Sequence, residues 1–419
     1  MKQINYLLLL TLFFVGISNG NAQEKKDEIK VRFGGYVHSL FTYDTRQTAS
    51  AREGFILLYP KDELLDGSGK DINKGSVYNM AVIQSRVNAK ITGPEILGAK
   101  TNGLLEAEFM GNAESDVNGL RLRHAFVNLN WGKTSLLIGQ TWSPLFNAEV
   151  FPGTVGANAG LPFKAFARNP QLRVTHKTGN WKFLAAIASE RDYTSTGPDG
   201  ASNKYLRNSG LPILQGLVHY YAGKHLLGLS AEFKNIKPSL TSTTGSVENG
   251  NLTSWKNDET LSSWAVVASY KLNLKLITFK AQATYGTNLT DVLMLGGYAV
   301  KSVNPITNEA SYTGIKVLGT WADISYNKDN FELALLAAYS KNMGAEDKVI
   351  SGMIYSRGKN IGELYRIAPR VSKRFENFKM ELEVEYTAAA YGDVTEKAEV
   401  ENTHWVGNTR ISAGFYYYF

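Results

Sequence analysis

Polar and apolar residues alternate with a period of two along much of this chain. In residues 80–92 polar side chains occupy every second position from Gln84 onward, and in residues 380–386 three glutamates alternate with apolar residues. Successive side chains of a β-strand point to opposite faces, so this period predicts strands with one polar and one apolar face. The pattern is typical of a β-barrel wall with a wet interior. A soluble β-sandwich, whose apolar faces meet in a core, is the alternative.

The lengths of the connections favour the barrel. Short turns such as 132–134 and 376–377 alternate with long polar loops such as 48–78 and 288–310, which is the organisation of an outer-membrane barrel. Beyond residues 1–22, no stretch of the sequence approaches the roughly 18 consecutive apolar residues of a membrane-spanning helix. We therefore predict an all-β fold, a sixteen-stranded antiparallel transmembrane β-barrel. The predicted strands are residues 31–47, 79–93, 102–111, 120–131, 135–143, 170–177, 181–190, 212–221, 225–236, 261–272, 275–287, 311–326, 331–343, 363–375, 378–391 and 404–419.

Residues 1–22 have the layout of a secretory signal peptide. Lys2 precedes an almost unbroken apolar run, and small residues end the segment at Ala22. The apolar run is shorter than the ~20 residues that a transmembrane helix needs. We therefore expect an exported protein in which a short periplasmic segment, residues 23–30, precedes an outer-membrane β-barrel domain over residues 31–419.

Composition argues against several other classes of protein. The 419 residues include no cysteine, which excludes disulfides, thiolate metal sites and a cysteine nucleophile. The 45 basic and 38 acidic residues are too mixed to indicate a nucleic-acid partner. Beyond the N-terminal segment no Gly-x-Ser-x-Gly motif occurs, and the six histidines are scattered. We therefore predict no enzyme activity, metal or cofactor; an outer-membrane barrel enzyme of the lipase type is the less favoured alternative.

Four acidic residues of the first long loop are the candidates for a calcium site. Their spacing does not match the EF-hand pattern, so a solvated acidic loop is favoured. These residues are Asp62, Glu63, Asp66 and Asp71.

The chain ends in a strongly aromatic strand. Residues 411–419 alternate into a C-terminal Phe419 that three tyrosines precede. This ending resembles the C-terminal strand of bacterial outer-membrane proteins, whose last aromatic residue is read by the barrel-insertion machinery. As a soluble edge strand it would be prone to aggregation. We therefore expect Phe419 to meet that machinery, and the barrel to contact the lipid bilayer and lipopolysaccharide of a Gram-negative outer membrane.

The polar face of each strand should line the lumen, which a sixteen-stranded barrel leaves as an aqueous channel. Each lumenal arginine is then either an ion-paired wall residue or part of a basic ladder that selects anions. Arg86 and Arg173 have no carboxylate directly across in the predicted register, so they are the first candidates for free cations. In an antiparallel hairpin the residue numbers of two opposed residues have a constant sum. This rule predicts the pairs Glu108–Arg121, Glu106–Arg123, Arg370–Glu383 and Ser372–Glu381. The predicted pore-lining residues are Arg86, Lys90, Glu106, Glu108, Arg121, Arg123, Arg168, Arg173, Arg366, Arg370 and Arg410.

The loop after the fifth strand, residues 144–169, is long and unusually apolar for an exposed surface. We predict that this third loop folds inward and narrows the channel. Glu149, Lys164 and Arg168 would then lie near the constriction. Packing of the loop on neighbouring subunits is the alternative.

Three motifs carry a family resemblance: GLRLRHAF at 119–126, LIGQTWS at 137–143 and RNPQLR at 168–173. They resemble the DcaP-like family of trimeric outer-membrane porins, with the likeness concentrated in residues 79–177. The resemblance implies a homotrimer with an inward third loop and passive diffusion of small, mainly anionic solutes such as dicarboxylates. It also implies a basic constriction at Arg121, Arg123, Arg168 and Arg173. Phosphate-selective porins look broadly similar, so phosphate or polyphosphate transport is the alternative.

Overall fold

Sixteen antiparallel strands close into one barrel in the computed structural model, which describes residues 28–156, 158–245 and 250–419. The expected signal peptide, residues 1–22, lies outside the described residues, as does most of the expected segment 23–30. We name the wall strands β1 to β16 in chain order. They are β1 Lys30–Asp44, β2 Val77–Ala81 continued by Arg86–Ile96, β3 Ala99–Glu108, β4 Arg121–Asn130, β5 Thr134–Trp142, β6 Arg168–Thr178, β7 Trp181–Ala188, β8 Ile213–Ala222, β9 His225–Ile236, β10 Leu261–Asn273, β11 Ile277–Thr287, β12 Ala310–Lys328, β13 Phe331–Ala345, β14 Ile361–Phe375, β15 Phe378–Val394 and β16 Val400–Tyr418.

Strand β1 closes the barrel between the last strand and the second. Its pairing with β16 runs from Tyr36 opposite Tyr418 to Asp44 opposite Arg410. On its other side β1 pairs with both segments of β2. The closed sheet confirms the predicted sixteen-stranded antiparallel barrel and excludes the β-sandwich.

Seven short turns join the strands at one end of the barrel, which we call the turn end. In the turn between β12 and β13, Asp329 and Asn330 both have positive φ, 49° and 62°, as the tightest hairpin turns require. The seven connections are residues 97–98, 131–133, 179–180, 223–224, 274–276, 329–330 and 376–377.

The opposite end, which we call the loop end, carries long connections with secondary structure of their own. The alternation of short turns and long loops is therefore confirmed. The additional strands are Thr48–Ala51, Ile56–Pro60, Thr196–Gly197, Gly200–Ala201, Thr241–Thr244, Thr253–Lys256, Gly296–Val303 and Ile354–Arg357. The helices are α1 Lys204–Ser209 and the 3₁₀ turns Glu114–Asp116, Pro144–Phe146 and Thr290–Val292. In the described part of the chain, every helix falls short of the length and apolar character needed to span a membrane.

The two faces of the wall differ in exposure. On β13, Leu333 and Leu335 are 55% and 43% exposed, whereas the alternate residues Ala334 and Leu336 are buried. An outward band of exposed apolar side chains is what a lipid-facing wall requires. The opposite face of the same strands carries buried polar and charged residues, and these define the candidate site.

Candidate functional site

The described part of the third loop, residues 143–156 and 158–167, lies against the inner face of the wall. Asn147 donates a hydrogen bond to Ser269 Oγ on β10 over 2.7 Å, and Asn158 Nδ2 donates to Glu385 Oε2 on β15 over 2.8 Å. Arg366 Nη1 on β14 donates to the carbonyl oxygen of Leu161 over 2.6 Å. Contacts with three separate strands hold the loop within the barrel.

Apolar side chains of this loop are buried against the wall because their packing there removes them from water. Leu145, Val150 and Phe163 are fully buried in one cluster with Trp321 and Leu336 of the wall. The other side of the lumen retains a cavity of about 490 Å³. Its lining includes Tyr36, Arg86, Arg121, Arg123, Trp142 and the loop residues Phe151 to Thr154.

Glu108 is the centre of the charge cluster beside this cavity. Its side chain is fully buried and accepts hydrogen bonds from Arg121, from Arg123 Nη1 over 2.7 Å and from Arg86 Nη2 over 3.2 Å. Arg86 lies directly opposite Glu108 in the β2–β3 register and is also 3.6 Å from Glu106. The expectation that Arg86 has no carboxylate across is therefore wrong, because its partner is on β3, the next strand of the chain.

A β-bulge alters one predicted pair. The register between β3 and β4 shifts after Glu106, which lies opposite His124 instead of Arg123. An extra residue in one strand re-aims the neighbouring side chains, and Arg123 Nε still donates to Glu106 over 2.8 Å. The structure confirms the other predicted pairs, which are Glu108–Arg121, Arg370–Glu383 and Ser372–Glu381.

Asp192, in the loop after β7, completes the cluster. Arg168 Nη2 lies 2.9 Å from its carboxylate and Arg121 Nη1 lies 3.5 Å from it. Burial would raise the pKa of Asp192, but the guanidinium groups of Arg168 and Arg121 lower it below its ordinary value. The guanidinium of Arg168 also lies over the Trp142 ring, 4.8 Å from its centre. Sequence reasoning missed Asp192 because a loop residue has no strand register that would place it.

Three further arginines on the predicted lumenal face are paired with acids. Arg370 Nη1 is 2.5 Å from Asp323, and Arg410 Nη2 is 2.7 Å from Asp44. Arg366 is fully buried beneath the third loop, with its Nε 3.1 Å from Glu385. The sequence left open whether these three arginines are paired wall residues or part of a basic ladder that selects anions. In the structure they are paired wall residues.

The two predicted loop residues differ in their surroundings. Lys164 is fully buried; its Nζ donates to the carbonyl of Phe146 over 3.2 Å and lies 3.9 Å from the centre of that ring. Lys164 therefore lies inside the third loop, packed on Phe146 and shielded from the cavity by burial. Glu149 is partly exposed and pairs with Lys182 over 2.5 Å. A hydrogen bond from His219, together with that from Lys182, lowers the pKa of Glu149 below its ordinary range.

Arg173 and Lys90 have no carboxylate at ion-pair distance among the described residues. Arg173 Nε donates to Gln171 Oε1 over 2.9 Å, and its Nη2 donates to the carbonyl of Trp142. Lys90 is exposed and lies opposite Leu104 of β3, two residues from Glu106 towards the turn end.

The chain matches the model of the DcaP outer membrane protein family over residues 9–202. The match covers 194 of the 419 residues, in the N-terminal part of the chain. The fold of the chain is similar to that of the outer membrane channel DcaP of Acinetobacter baumannii, with a TM-score of 0.64, 17% identity, and coverage of 93% of this chain and 97% of that chain. An anion-selective porin from Comamonas acidovorans has a TM-score of 0.56 at 12% identity, covering 94% of this chain and 100% of that chain.

The trimer form of OmpT, an outer membrane protein of Vibrio cholerae, is similar to the same extent. Its TM-score is 0.56 at 11% identity, covering 94% of this chain and 100% of that chain. No curated protein matches the chain. In barrels of this kind short turns face the periplasm and long loops face the exterior, so we expect the turn end of this barrel to be periplasmic.

The loop acids and the histidines make separate contacts. Asp71 pairs with Arg46 over 2.6 Å, and Asp62 lies 2.7 Å from His404 Nε2. His124 Nδ1 lies 3.0 Å from Thr141 Oγ1. Within the part of the chain that the structure describes, these side chains form no group of three that could hold a metal ion.

Replacing Lys164 by methionine should stabilise the barrel at neutral pH. Burial lowers the pKa of Lys164 well below 10.5, so below pH 10.5 the unfolded chain binds a proton more tightly than the folded barrel does. The lysine therefore destabilises the fold increasingly as pH falls from 10.5. We expect Lys164→Met to raise the free energy of unfolding at pH 7 by about 1–3 kcal/mol.

Urea unfolding at pH 7 and at pH 10.5 measures this effect. The gain of Lys164→Met over the wild type should shrink at the higher pH. Lys397→Met, at an exposed loop position, is the control and should change little at either pH. Destabilisation by Lys164→Met at pH 7 would show that the ammonium group and its contact with Phe146 stabilise the loop.

Proposed function

We propose that this barrel is a passive diffusion channel for small hydrophilic, mainly anionic solutes such as dicarboxylates. The observation that carries the proposal is the cluster of Arg86, Arg121, Arg123 and Arg168 beside the lumenal cavity. These four guanidinium groups face three carboxylates, Glu106, Glu108 and Asp192, which leaves one positive charge in excess. Arg173 adds a second on the neighbouring wall.

An excess of fixed positive charge in a narrow channel favours anions because it offsets part of the hydration that they lose. Guanidinium groups suit this role because they stay protonated and offer several donors to a carboxylate in one plane. The carboxylates among them hold the arginines in place. The proposed solute path therefore has a rigid basic wall on one side and the third loop on the other.

The comparisons support this proposal at a coarser level. The family match is to an outer membrane protein, and the similar fold from Comamonas acidovorans is that of an anion-selective porin. We propose that the functional unit is a homotrimer, as in the trimer form of the similar OmpT. We also propose that lipopolysaccharide surrounds the barrel and that Phe419 is read during insertion; no catalytic step or cofactor enters the proposal.

Reversal potentials in a potassium chloride gradient across a planar bilayer test the proposal. The wild type should prefer chloride. Arg173→Ala should lower the chloride-to-potassium permeability ratio roughly two- to threefold. The variant removes one unpaired positive charge near the path, and the effect is modest because water in the lumen screens that charge.

Lys397→Ala is the matched control, since it removes one positive charge from an exposed loop. Its reversal potential should equal that of the wild type. Absence of any conductance, or a cation preference in the wild type, would contradict the proposed function. An unchanged reversal potential in Arg173→Ala would exclude Arg173 from the selectivity site.

A further inference from the structure

Basic residues lie directly opposite one another on neighbouring strands near the turn end. Arg32 of β1 is opposite Lys90 of β2, and Lys177 of β6 is opposite Lys182 of β7. The same arrangement recurs where Lys271 of β10 is opposite Lys280 of β11, and where Arg374 of β14 is opposite Lys379 of β15. We call these four the vestibule pairs. Like charges directly opposite destabilise a β-sheet, so four such pairs at one end of a barrel need an explanation other than stability.

The vestibule pairs are on the lumenal face of the wall. Lys182 reaches Glu149 of the third loop, and Lys280 Nζ donates to the carbonyl of Phe151 in that loop over 3.0 Å. Arg32 and Lys90 line a cavity of about 330 Å³ that they share with Arg86 and Glu106. The pairs therefore surround the periplasmic mouth of the channel below the third loop.

Most of this positive charge is uncompensated. Of the eight basic side chains, only Lys182 and Lys379 have a carboxylate at ion-pair distance among the described residues. At the loop end several exposed cations have partners, for example in the pairs Lys256–Asp258, Lys301–Asp347 and Lys348–Glu396, and exposed carboxylates such as Glu63 and Glu401 lie among the other cations. The two mouths of the channel therefore differ in fixed charge.

We propose that the vestibule pairs form a binding site for multivalent anions at the periplasmic mouth, next to the arginine cluster at the third loop and closer to the turn end. This inference deepens the proposed function. It rests on that proposal in one respect, which is that solutes pass through the lumen. An anion with two or three carboxylates can contact several of these cations at once, whereas a monovalent anion contacts one. The site would concentrate such solutes at one mouth only, because exposed cations and carboxylates are mixed at the opposite mouth.

Calorimetric titration of citrate into the full chain in a neutral detergent at low ionic strength tests the site. The vestibule variant carries Arg32→Gln, Lys90→Gln, Lys177→Gln and Lys271→Gln. Its citrate affinity should fall about tenfold, since three of the four vestibule pairs lose a cation that a bound trianion would contact. The matched variant Lys70→Gln, Lys74→Gln, Lys359→Gln and Lys397→Gln removes equal charge from exposed loop positions and should change the affinity less than twofold.

The vestibule variant should fold because it removes repulsion, and heat-dependent electrophoretic mobility verifies this. Equal losses of affinity in the two variants, or acetate binding as tightly as citrate, would overturn the proposal. The titration does not depend on conduction. If citrate affinity falls in the vestibule variant but the wild-type channel does not prefer chloride, the proposed function alone is overturned. If the wild-type channel prefers chloride but the vestibule variant binds citrate as tightly as the wild type, the vestibule site alone is overturned.

Discussion

Glu108→Gln is expected to lower the free energy of unfolding by about 3–5 kcal/mol, the usual cost of removing one partner from a buried ion pair. The carboxylate is fully buried and contacts Arg86, Arg121 and Arg123. Glutamine keeps the shape of the side chain but removes the charge. Three guanidinium groups would then share only Glu106 and Asp192.

Urea unfolding of the barrel in lipid vesicles measures this loss. Glu106→Gln is the matched control: its side chain is partly exposed, so water compensates for the lost charge and the loss should be clearly smaller. Adding Arg121→Gln to Glu108→Gln restores the charge balance and should recover part of the stability. Equal losses for Glu106→Gln and Glu108→Gln would show that the cluster is solvated and not a buried network.

Arg366→Met should both destabilise the barrel and widen the channel. Its guanidinium donates to Leu161 of the third loop over 2.6 Å and to the carbonyl of Leu58 over 3.2 Å, and it pairs with Glu385. Methionine removes these contacts and leaves Glu385 buried without its cation. The expected loss in unfolding free energy is about 3–5 kcal/mol, and single-channel conductance should rise as the loop loses an anchor.

A second variant separates the two effects. Arg366→Met combined with Glu385→Gln removes the uncompensated charge, so stability should partly recover. The hydrogen bond to Leu161 is still absent, so conductance should stay high. Wild-type conductance in both variants would show that Arg366 does not hold the third loop in place.

The wall was predictable because it depends on local rules. A period of two, short turns and an aromatic C-terminal strand are each properties of a short stretch of sequence. The hairpin register of Arg370 with Glu383 followed from the turn at 376–377 alone. The bulge after Glu106 was not predictable in this way, because one extra residue leaves the alternation on either side intact.

The state of the lumenal charges was much harder to predict. Arg86 lies opposite Glu108 only because of how β2 pairs with β3, and Arg410 meets Asp44 only because the first and last strands close the barrel. Arg168 depends on Asp192, which a long loop brings to it. These partners are far apart in the chain or belong to irregular segments, where periodicity carries no information.

The sequence by itself determined the barrel, its strand number and the side of the wall on which each charge lies, since backbone geometry and residue spacing decide these. Only the tertiary structure decided which cations are neutralised. Electrostatic pairing depends on distances of a few ångströms between side chains, and closure of the barrel and the path of the third loop set those distances. The same closure arranges the vestibule pairs around one mouth of the barrel. A single hairpin contributes only one such pair.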